Sequence, residues 1–193
     1  MRLAILDNGH TFGAKALFAF IATVSRQPVL DIIKLVKYRA DFFGKPMGAV
    51  TQEAMRGDST WSIADRELMA AVVAQTNECA FCREAHAAVS RAASGDGARV
   101  AAVLTDLEAA NIDERLRVTL RMLRRLARDH TLSPDEVRAV LDAGVTRAQI
   151  EDALAVAFAF NVVTRLAETF NFAVPGDEAM TAGAKFLLAR GYR

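Results

Sequence analysis

The sequence has very little cysteine, with two residues among 193, at positions 79 and 82. A secreted domain that depends on disulfides needs a larger set, so this class of protein is excluded. Net charge is nearly absent as well, because 24 Lys and Arg are balanced by 23 Asp and Glu. Charges of both signs are interleaved along the chain, which is typical of solvated helix faces, whereas a nucleic-acid surface needs clustered positive charge. We therefore expect no nucleic-acid partner.

Long hydrophobic runs are also missing. The most apolar stretch, ALAVAFAFNVV at residues 153–163, is about half the length that a membrane-spanning helix needs, and Arg165 and Glu168 follow it closely. The first residues differ from a signal peptide, because Asp7 lies where positive charge is expected and Lys15 interrupts the apolar part. The sequence therefore predicts a soluble protein of the cytoplasm without a membrane partner.

No segment alternates apolar and polar residues over enough positions to predict a β-strand. Three helix starts are well marked by Ser62, Ser133 and Thr146, each followed three positions later by an acidic or amide side chain, as in a capping box. A helix from about residue 29 is expected to break at residues 44–46 (GKP). The sequence predicts an all-α fold in a single domain over residues 1–193.

The predicted helix after Thr146 is apolar on nearly all sides around residues 153–163. A helix of that kind is either central in the core or covered by a second subunit. A chain of this size has limited room to wrap it, so we expect a homo-oligomer.

Both cysteines lie in residues 67–86, ELMAAVVAQTNECAFCREAH. Cys79 and Cys82 are spaced so that their sulfurs can approach bonding distance at one end of a helix, which favours a redox pair in a cytoplasmic protein. The pair is also half of a zinc site, but structural zinc takes four protein ligands and only His86 is near in sequence. We expect no metal and no cofactor. The alternative is that Cys79 and Cys82 are small core residues without a redox role.

His86 lies four positions after Cys82, on the same helix face, so its imidazole can accept the thiol proton. In one unbroken helix Glu67 would lie about 18 Å from Cys79, but residues 75–77 (QTN) interrupt the apolar pattern and include good N-caps. A turn there places Cys79 near a helix start, which lowers a thiol pKa, and brings Glu67 towards His86, where a carboxylate orients the imidazole. The alternatives are a surface acid at Glu67 and a packing residue at His86.

The spacing of these four residues resembles the motif of the AhpD-like superfamily, which includes alkylhydroperoxidase D and the carboxymuconolactone decarboxylases. The segments DRELMAAVVAQTNECAFCREAH and IEDALAVAFAFNVVTRLAETFNF are similar to that family as well. The resemblance covers roughly residues 29–175 and is closest to the peroxidase-related branch. It implies a homo-oligomeric, all-helical fold, with the Cys-x-x-Cys at the N-terminal end of a central helix.

The same resemblance implies thiol-dependent reduction of a peroxide substrate, after which a partner protein reduces the disulfide. Cys79 and Cys82 would be the redox pair, and Glu67 and His86 the proton relay. We expect Cys82, the thiol nearer His86, to attack the peroxide and Cys79 to resolve the sulfenic acid. A thioredoxin-like order would reverse the two roles.

Two positions depart from the family pattern. Phe81 stands where the best-characterised alkylhydroperoxidases have a second histidine, and Glu78 stands where a glycine is frequent. A negative charge at Glu78 disfavours a thiolate beside it. Both departures bear on the rate and on the choice of substrate.

Three phenylalanines, Phe81, Phe158 and Phe160, are expected to form an apolar wall that suits an organic hydroperoxide, although aromatic residues at helical spacing are often plain core. Two other functions remain open. One is a carboxymuconolactone decarboxylase-like lyase that uses His86 and Glu67 as acid and base. The other is a helical oligomer without catalysis that senses redox state or binds a metal.

Overall fold

The structure, a computed structural model, describes residues 3–192 as helices joined by short turns, with no β-strand in that range. The predicted all-α class is therefore confirmed. A π-helical segment, Ala40–Gly44, lies between the third and fourth helices. In chain order the helices are α1 (Ile5–Asn8), α2 (Phe12–Ser25), α3 (Asp31–Tyr38), α4 (Lys45–Arg56), α5 (Ile63–Thr76), α6 (Ala80–Ser94), α7 (Gly97–Thr105), α8 (Glu114–Asp129), α9 (Pro134–Asp142), α10 (Arg147–Phe170) and α11 (Asp177–Arg190).

The predicted helix starts agree with the structure. Ser62, Ser133 and Thr146 are the N-caps of α5, α9 and α10, and each side chain accepts a hydrogen bond from the backbone N–H three residues later. At the last two caps, Glu136 and Gln149 complete the box by accepting from the N-cap backbone. These bonds satisfy amide groups that have no partner within the helix.

The predicted break at residues 44–46 is wrong. α3 ends at Tyr38, and the π-helical segment continues into α4 without an interruption at the glycine and proline. Pro46 is the second residue of α4 and lies at its junction with the π-helical segment, in the first turn, where helices accept proline. Gly44 allows the close approach of the chain to α3, since a Cβ there would lie 2.5 Å from the carbonyl oxygen of Val36.

The larger of two apolar clusters is built on α5, which packs most extensively against α6 and also contacts α8 and α10. The α5–α6 contact is rich in alanine, including Ala70, Ala71 and Ala87, all fully buried. Small side chains allow the two helices to lie close together, so that polar groups on their facing sides come within hydrogen-bond distance.

The second apolar cluster surrounds the two cysteines. Leu6 of α1, Leu35 of α3 and Met180 of α11 pack around the start of α6 in this cluster. The covering residues come from parts of the chain that are remote from the cysteines in sequence. The thiol pair therefore lies in an apolar environment that the fold assembles from distant helices.

Helix α10 is the one helix within residues 3–192 that is long and apolar enough to span a membrane, with a mean hydropathy of 1.4 over an 18-residue window. Of that window, 39% is buried inside the protein, where α10 packs against α4, α5 and α8. Val156 and Phe160 are buried, whereas Phe158 is 62% exposed. One apolar face of α10 is left without cover in a single chain.

Candidate active site

Helices α5 and α6 form a hairpin that brings Glu67 to His86. The Nδ1 atom of His86 lies 2.7 Å from Oε2 of Glu67. Glu67 is fully buried and His86 is only 6% exposed, so Glu67 is not a surface acid. The structure thus brings together the two residues that the sequence placed in a proton relay.

The turn of this hairpin is held by backbone geometry and by α10. Glu78 adopts a left-handed conformation with a φ of 59°, which is costly for a residue with a Cβ and explains why glycine suits this position. The Asn77 side chain donates hydrogen bonds to Asn161 Oδ1 at 2.9 Å and to Thr164 Oγ1 at 3.0 Å. These two bonds fix the start of α6 relative to α10.

Cys79 is itself the N-cap of α6, whereas the sequence predicted the cap within residues 75–77. Its Sγ accepts a hydrogen bond from the backbone N–H of Cys82 at 3.4 Å. This places one sulfur at the positive end of the helix and the second sulfur one turn further on. Both thiols are free, and each residue is only 1% exposed.

The two thiols have opposite acidities. A hydrogen bond from the Cys82 thiol lowers the pKa of Cys79, and the bond from the Cys82 backbone adds to this effect, while burial opposes it. The same thiol–thiol hydrogen bond, followed by burial, raises the pKa of Cys82 far above its ordinary value. The pair therefore holds a first negative charge on Cys79 and keeps a proton on Cys82.

Glu67 is an anion in this site. Burial raises the pKa of Glu67, but the hydrogen bond from His86, the positive charge of Arg56 and the hydrogen bond from Tyr192 outweigh it and leave the pKa below its ordinary value. Because a carboxylate only accepts hydrogen bonds, the proton between the two groups belongs to Nδ1 of His86. The Nε2 atom of neutral His86 is then the nitrogen that can accept a proton.

Two residues of this network were missed from the sequence. Arg56, the last residue of α4, lies with Nη2 2.8 Å from Oε1 of Glu67, and the hydroxyl of Tyr192, after α11, donates to the same oxygen at 2.8 Å. Neither residue has a sequence spacing that relates it to Glu67 or His86. Only the packing of α4 and α11 against the hairpin could reveal them.

A cavity of about 250 Å³ lies beside these residues. Cys82, His86, Tyr192 and Thr51 are the polar side chains in its wall, whereas Cys79 does not line it. His86 lines this cavity, and its Nε2 atom has no hydrogen-bond partner within residues 3–192. The apolar wall is formed by Leu30, Ile32, Ile33, Val36, Met47, Phe81, Ala85, Phe160, Val163, Phe186 and Leu187.

The predicted aromatic wall is right for Phe81 and Phe160 and wrong for Phe158. Phe81 packs edge-on against Phe172, with ring centroids 5.4 Å apart, and takes the place of a second histidine with an apolar surface. Phe158 lies two residues before Phe160, so it points to the opposite side of α10 at about 3.6 residues per turn. There it lines an open surface groove together with Leu154 and Val162.

A metal site needs a grouping of side chains that can bind the ion. Among residues 3–192, no group of three or more His, Cys, Asp or Glu side chains is arranged to hold a metal ion. The Cys79 sulfur instead accepts a hydrogen bond from the backbone N–H of Cys82.

Comparison with known proteins agrees with the resemblance found in the sequence. Residues 43–125 match the model of the carboxymuconolactone decarboxylase family, and this region contains all four residues of the motif. A search of the curated proteins found no significant match. The family match thus agrees with the predicted resemblance to the AhpD-like superfamily over the region that carries the motif.

Two solved structures share the fold over nearly the whole chain. An uncharacterized peroxidase-related protein from Silicibacter sp. TM1040 is 23% identical, with a TM-score of 0.74 over 90% of both chains. An alkylhydroperoxidase AhpD core, an uncharacterized peroxidase-related protein from Ralstonia eutropha JMP134, is 20% identical, with a TM-score of 0.74 over 91% of this chain and 92% of that chain. At these identities the likeness establishes the fold.

Proposed function

We propose that this chain of the AhpD-like superfamily is an enzyme, a thiol-dependent peroxidase that reduces small organic hydroperoxides. The observation that carries the proposal is that Cys82 and His86 line the same apolar cavity, with the Glu67 anion hydrogen-bonded behind the imidazole. A hydroperoxide in this cavity would meet a sulfur nucleophile and a proton carrier together. Glu67 acts through His86 and makes no contact with the substrate.

The first step needs a thiolate at Cys82. The charge of a pair that has lost one proton to Nε2 of His86 lies mainly on Cys79, and it reaches Cys82 when the remaining proton moves from Cys82 to Cys79. With the proton on Cys79, the Cys82 thiolate attacks the distal oxygen of the peroxide. The O–O bond breaks, Cys82 becomes a sulfenic acid, and the alkoxide takes the proton from imidazolium to leave as an alcohol.

The second step closes the disulfide. Cys79 loses its proton to Nε2 of His86 and attacks the Cys82 sulfur, the S–O bond breaks, and the leaving hydroxide takes that proton to form water. The peroxide has then gained two electrons and two protons from the pair, and His86 is neutral again. The low pKa of Cys79 at the helix start suits this resolving role.

The cavity supports an uncharged, apolar substrate. Its volume of about 250 Å³ is below the ~300–1,000 Å³ typical of ligand pockets, so it suits a small molecule. No Lys or Arg within residues 3–192 lines the cavity, and the nearby guanidinium of Arg56 is already paired with Glu67. A lactone acid, the substrate type of the lyase alternative, would therefore enter without a free positive partner for its carboxylate.

Regeneration requires a dithiol that reduces the Cys79–Cys82 disulfide, and we expect a partner protein of the cytoplasm to supply it. The buried position of both sulfurs means that this reductant needs a thiol on a narrow or flexible segment.

The redox pair itself can be tested by alkylation. A mild oxidant should protect both cysteines from alkylation, and reduction should make them alkylatable again, as followed by mass spectrometry. If both thiols remain alkylatable after oxidation, they do not form a redox couple.

The deciding experiment is peroxide consumption with excess dithiothreitol, using cumene hydroperoxide and hydrogen peroxide. We expect wild type to consume the organic peroxide preferentially, and Cys82→Ser and Cys79→Ser to lose turnover. Ser59→Ala, on the connection between α4 and α5, is the control for a small polar substitution outside the site. No cysteine-dependent consumption of either peroxide would leave the redox-sensing alternative, and decarboxylation of a lactone acid by the double cysteine variant would favour the lyase.

A further inference from the structure

Tyr192 reaches the site because the backbone turns at Gly191. Gly191 has a φ of 69° and a ψ of −150°, a conformation open to glycine. A Cβ at this position would lie 2.3 Å from Oε1 of Gln52. That same oxygen accepts a hydrogen bond from the backbone N–H of Tyr192 at 2.8 Å. Gly191 and Gln52 together thus turn the chain after α11 and direct the tyrosine inward.

Inside the site, the tyrosine hydroxyl contacts both members of the proton relay. It donates to Oε1 of Glu67 at 2.8 Å and lies 3.4 Å from Nδ1 of His86. Its ring is roughly parallel to the imidazole, with centroids 6.3 Å apart, and the Arg56 guanidinium lies over the tyrosine ring, 5.0 Å from its centre. The tyrosine ring also lines the cavity next to His86.

The two oxygens of Glu67 therefore have separate partners. Oε1 accepts from Tyr192 and Arg56, and Oε2 accepts from His86. A carboxylate held at both oxygens cannot rotate without losing a bond, so the oxygen facing Nδ1 stays in place. With Nδ1 held, Nε2 remains directed to the cavity that Cys82 lines.

We propose that the Tyr192 hydroxyl is a positioning residue of the relay, which fixes the Glu67 carboxylate so that His86 presents Nε2 to the thiol and the peroxide. The proposal rests on the proposed peroxidase function. Tyr192 itself exchanges no proton with the substrate in this role. Burial and the neighbouring Glu67 carboxylate keep its pKa well above the ordinary value, so the hydroxyl remains a donor.

The test is Tyr192→Phe, which removes the hydroxyl and keeps the ring in the cavity wall. The control is Tyr38→Phe, because Tyr38 is the chain's one other tyrosine and lies on α3 outside the relay. Groups that orient a histidine through its second nitrogen are typically worth about 10–100-fold in activity at metal sites. We expect a fall of about tenfold in kcat, the lower end of that range, because Arg56 still holds Oε1. KM for cumene hydroperoxide should change little.

The pH dependence separates positioning from packing. The Tyr192 hydrogen bond is one of the groups that lower the pKa of Glu67, so its loss raises that pKa. The acid limb of the kcat profile should then move to higher pH in Tyr192→Phe and stay in place in Tyr38→Phe. A raised KM with unchanged kcat and an unchanged acid limb would show that Tyr192 is only part of the cavity wall.

A measurement without turnover keeps this inference distinct from the proposed function. The ¹³C carboxyl shift of Glu67, followed against pH, should show protonation at higher pH in Tyr192→Phe than in wild type. Gly191→Ala should produce the same shift, because it displaces the whole residue. An unchanged titration in both variants overturns the positioning role, even if wild type is an active peroxidase. A shifted titration in a protein that consumes no peroxide would instead contradict the proposed function alone.

Discussion

The α5–α6 hairpin and the helices around it contribute different things to the site. The hairpin carries both thiols, the imidazole and Glu67 within twenty residues of sequence. The surrounding parts, α3, α4 and α11, supply most of the apolar cavity wall and the two partners of Glu67, Arg56 and Tyr192. The reactive groups are therefore local in sequence, whereas their solvation and orientation are not.

The surrounding helices determine whether the buried carboxylate of the motif stays ionised. A carboxylate that is 0% exposed would be too costly as an unpartnered anion, and desolvation alone would raise its pKa. The surrounding helices bring a guanidinium and a hydroxyl to the same oxygen, which keeps the carboxylate ionised. The following substitutions separate the two contributions, from the largest expected effect to the smallest.

Glu67→Gln breaks the hairpin's part of the relay. The amide keeps the shape of the side chain but loses the charge that favours imidazolium, so we expect peroxide reduction to fall by about 10²–10⁴-fold, as for loss of a general acid–base group. The fold should survive. Glu84→Gln, at a partly exposed acid on α6 that pairs with Arg83, is the matched control and should behave as wild type. Equal rates in both variants would remove Glu67 from the relay.

Arg56→Met breaks the contribution of the surrounding helices. Its partner Glu67 is fully buried, and the Arg56 side chain is only 8% exposed, so removal leaves a buried carboxylate with one cation fewer. Breaking a buried ion pair in this way typically costs about 3–5 kcal/mol of unfolding free energy. Urea unfolding of wild type and Arg56→Met measures this loss of unfolding free energy.

The matched control for Arg56 is Arg121→Met, which breaks an exposed pair with Glu108. Exposed pairs contribute about 0–1 kcal/mol. Similar midpoints for the two variants would show that the buried pair adds no stability and would weaken the distinction between the hairpin and its surroundings.

Phe158→Arg tests whether the surroundings of the hairpin extend to a second subunit. Phe158 is 62% exposed in one chain, so the isolated fold tolerates an arginine there. In an apolar interface the arginine would lose the burial of a large apolar side chain, which contributes about 1.5–3 kcal/mol of free energy. We expect the variant to sediment at a lower mass with its helical content retained.

Val174→Arg, at an exposed apolar residue after α10, is the control and should sediment as wild type does. Wild type itself should exceed the 20.9 kDa mass of one chain at micromolar concentration. A single species of that mass would disprove the predicted homo-oligomer.

Cys82→Ala tests the smallest of these effects, a shift in the acidity of Cys79, and lies wholly within the hairpin. The variant removes the thiol that hydrogen-bonds to Cys79 and lowers its pKa, while burial continues to raise it. The Cys79 thiolate, followed by its ultraviolet absorbance, should therefore appear at higher pH than in wild type. Cys82→Ser retains a hydroxyl donor and should keep the transition closer to that of wild type. An unchanged transition in Cys82→Ala would mean that the Cys82 thiol does not set the acidity of Cys79.

Much of the hairpin could be predicted because its signals are local. Helix periodicity put His86 one turn after Cys82, and the interrupted pattern at residues 75–77 located the turn, since both depend on residues close in sequence. The capping residue itself was missed, because a cysteine is not a usual N-cap and its role depends on the left-handed conformation of Glu78. The error at residues 44–46 has a similar origin, because a π-helical segment has no simple residue signature.

The all-α class, the marked starts of α5, α9 and α10, and the grouping of Glu67, Cys79, Cys82 and His86 follow from local patterns in the sequence. Tertiary structure alone decided that Phe160 faces the cavity while Phe158 faces outward, and that Arg56 and Tyr192 share one oxygen of Glu67. Tyr192 lies 125 positions from Glu67. Contacts over such separations follow from the packing of whole helices, in which many weak apolar contacts together fix the relative positions of the helices. No short pattern of residues predicts the combined effect of these contacts.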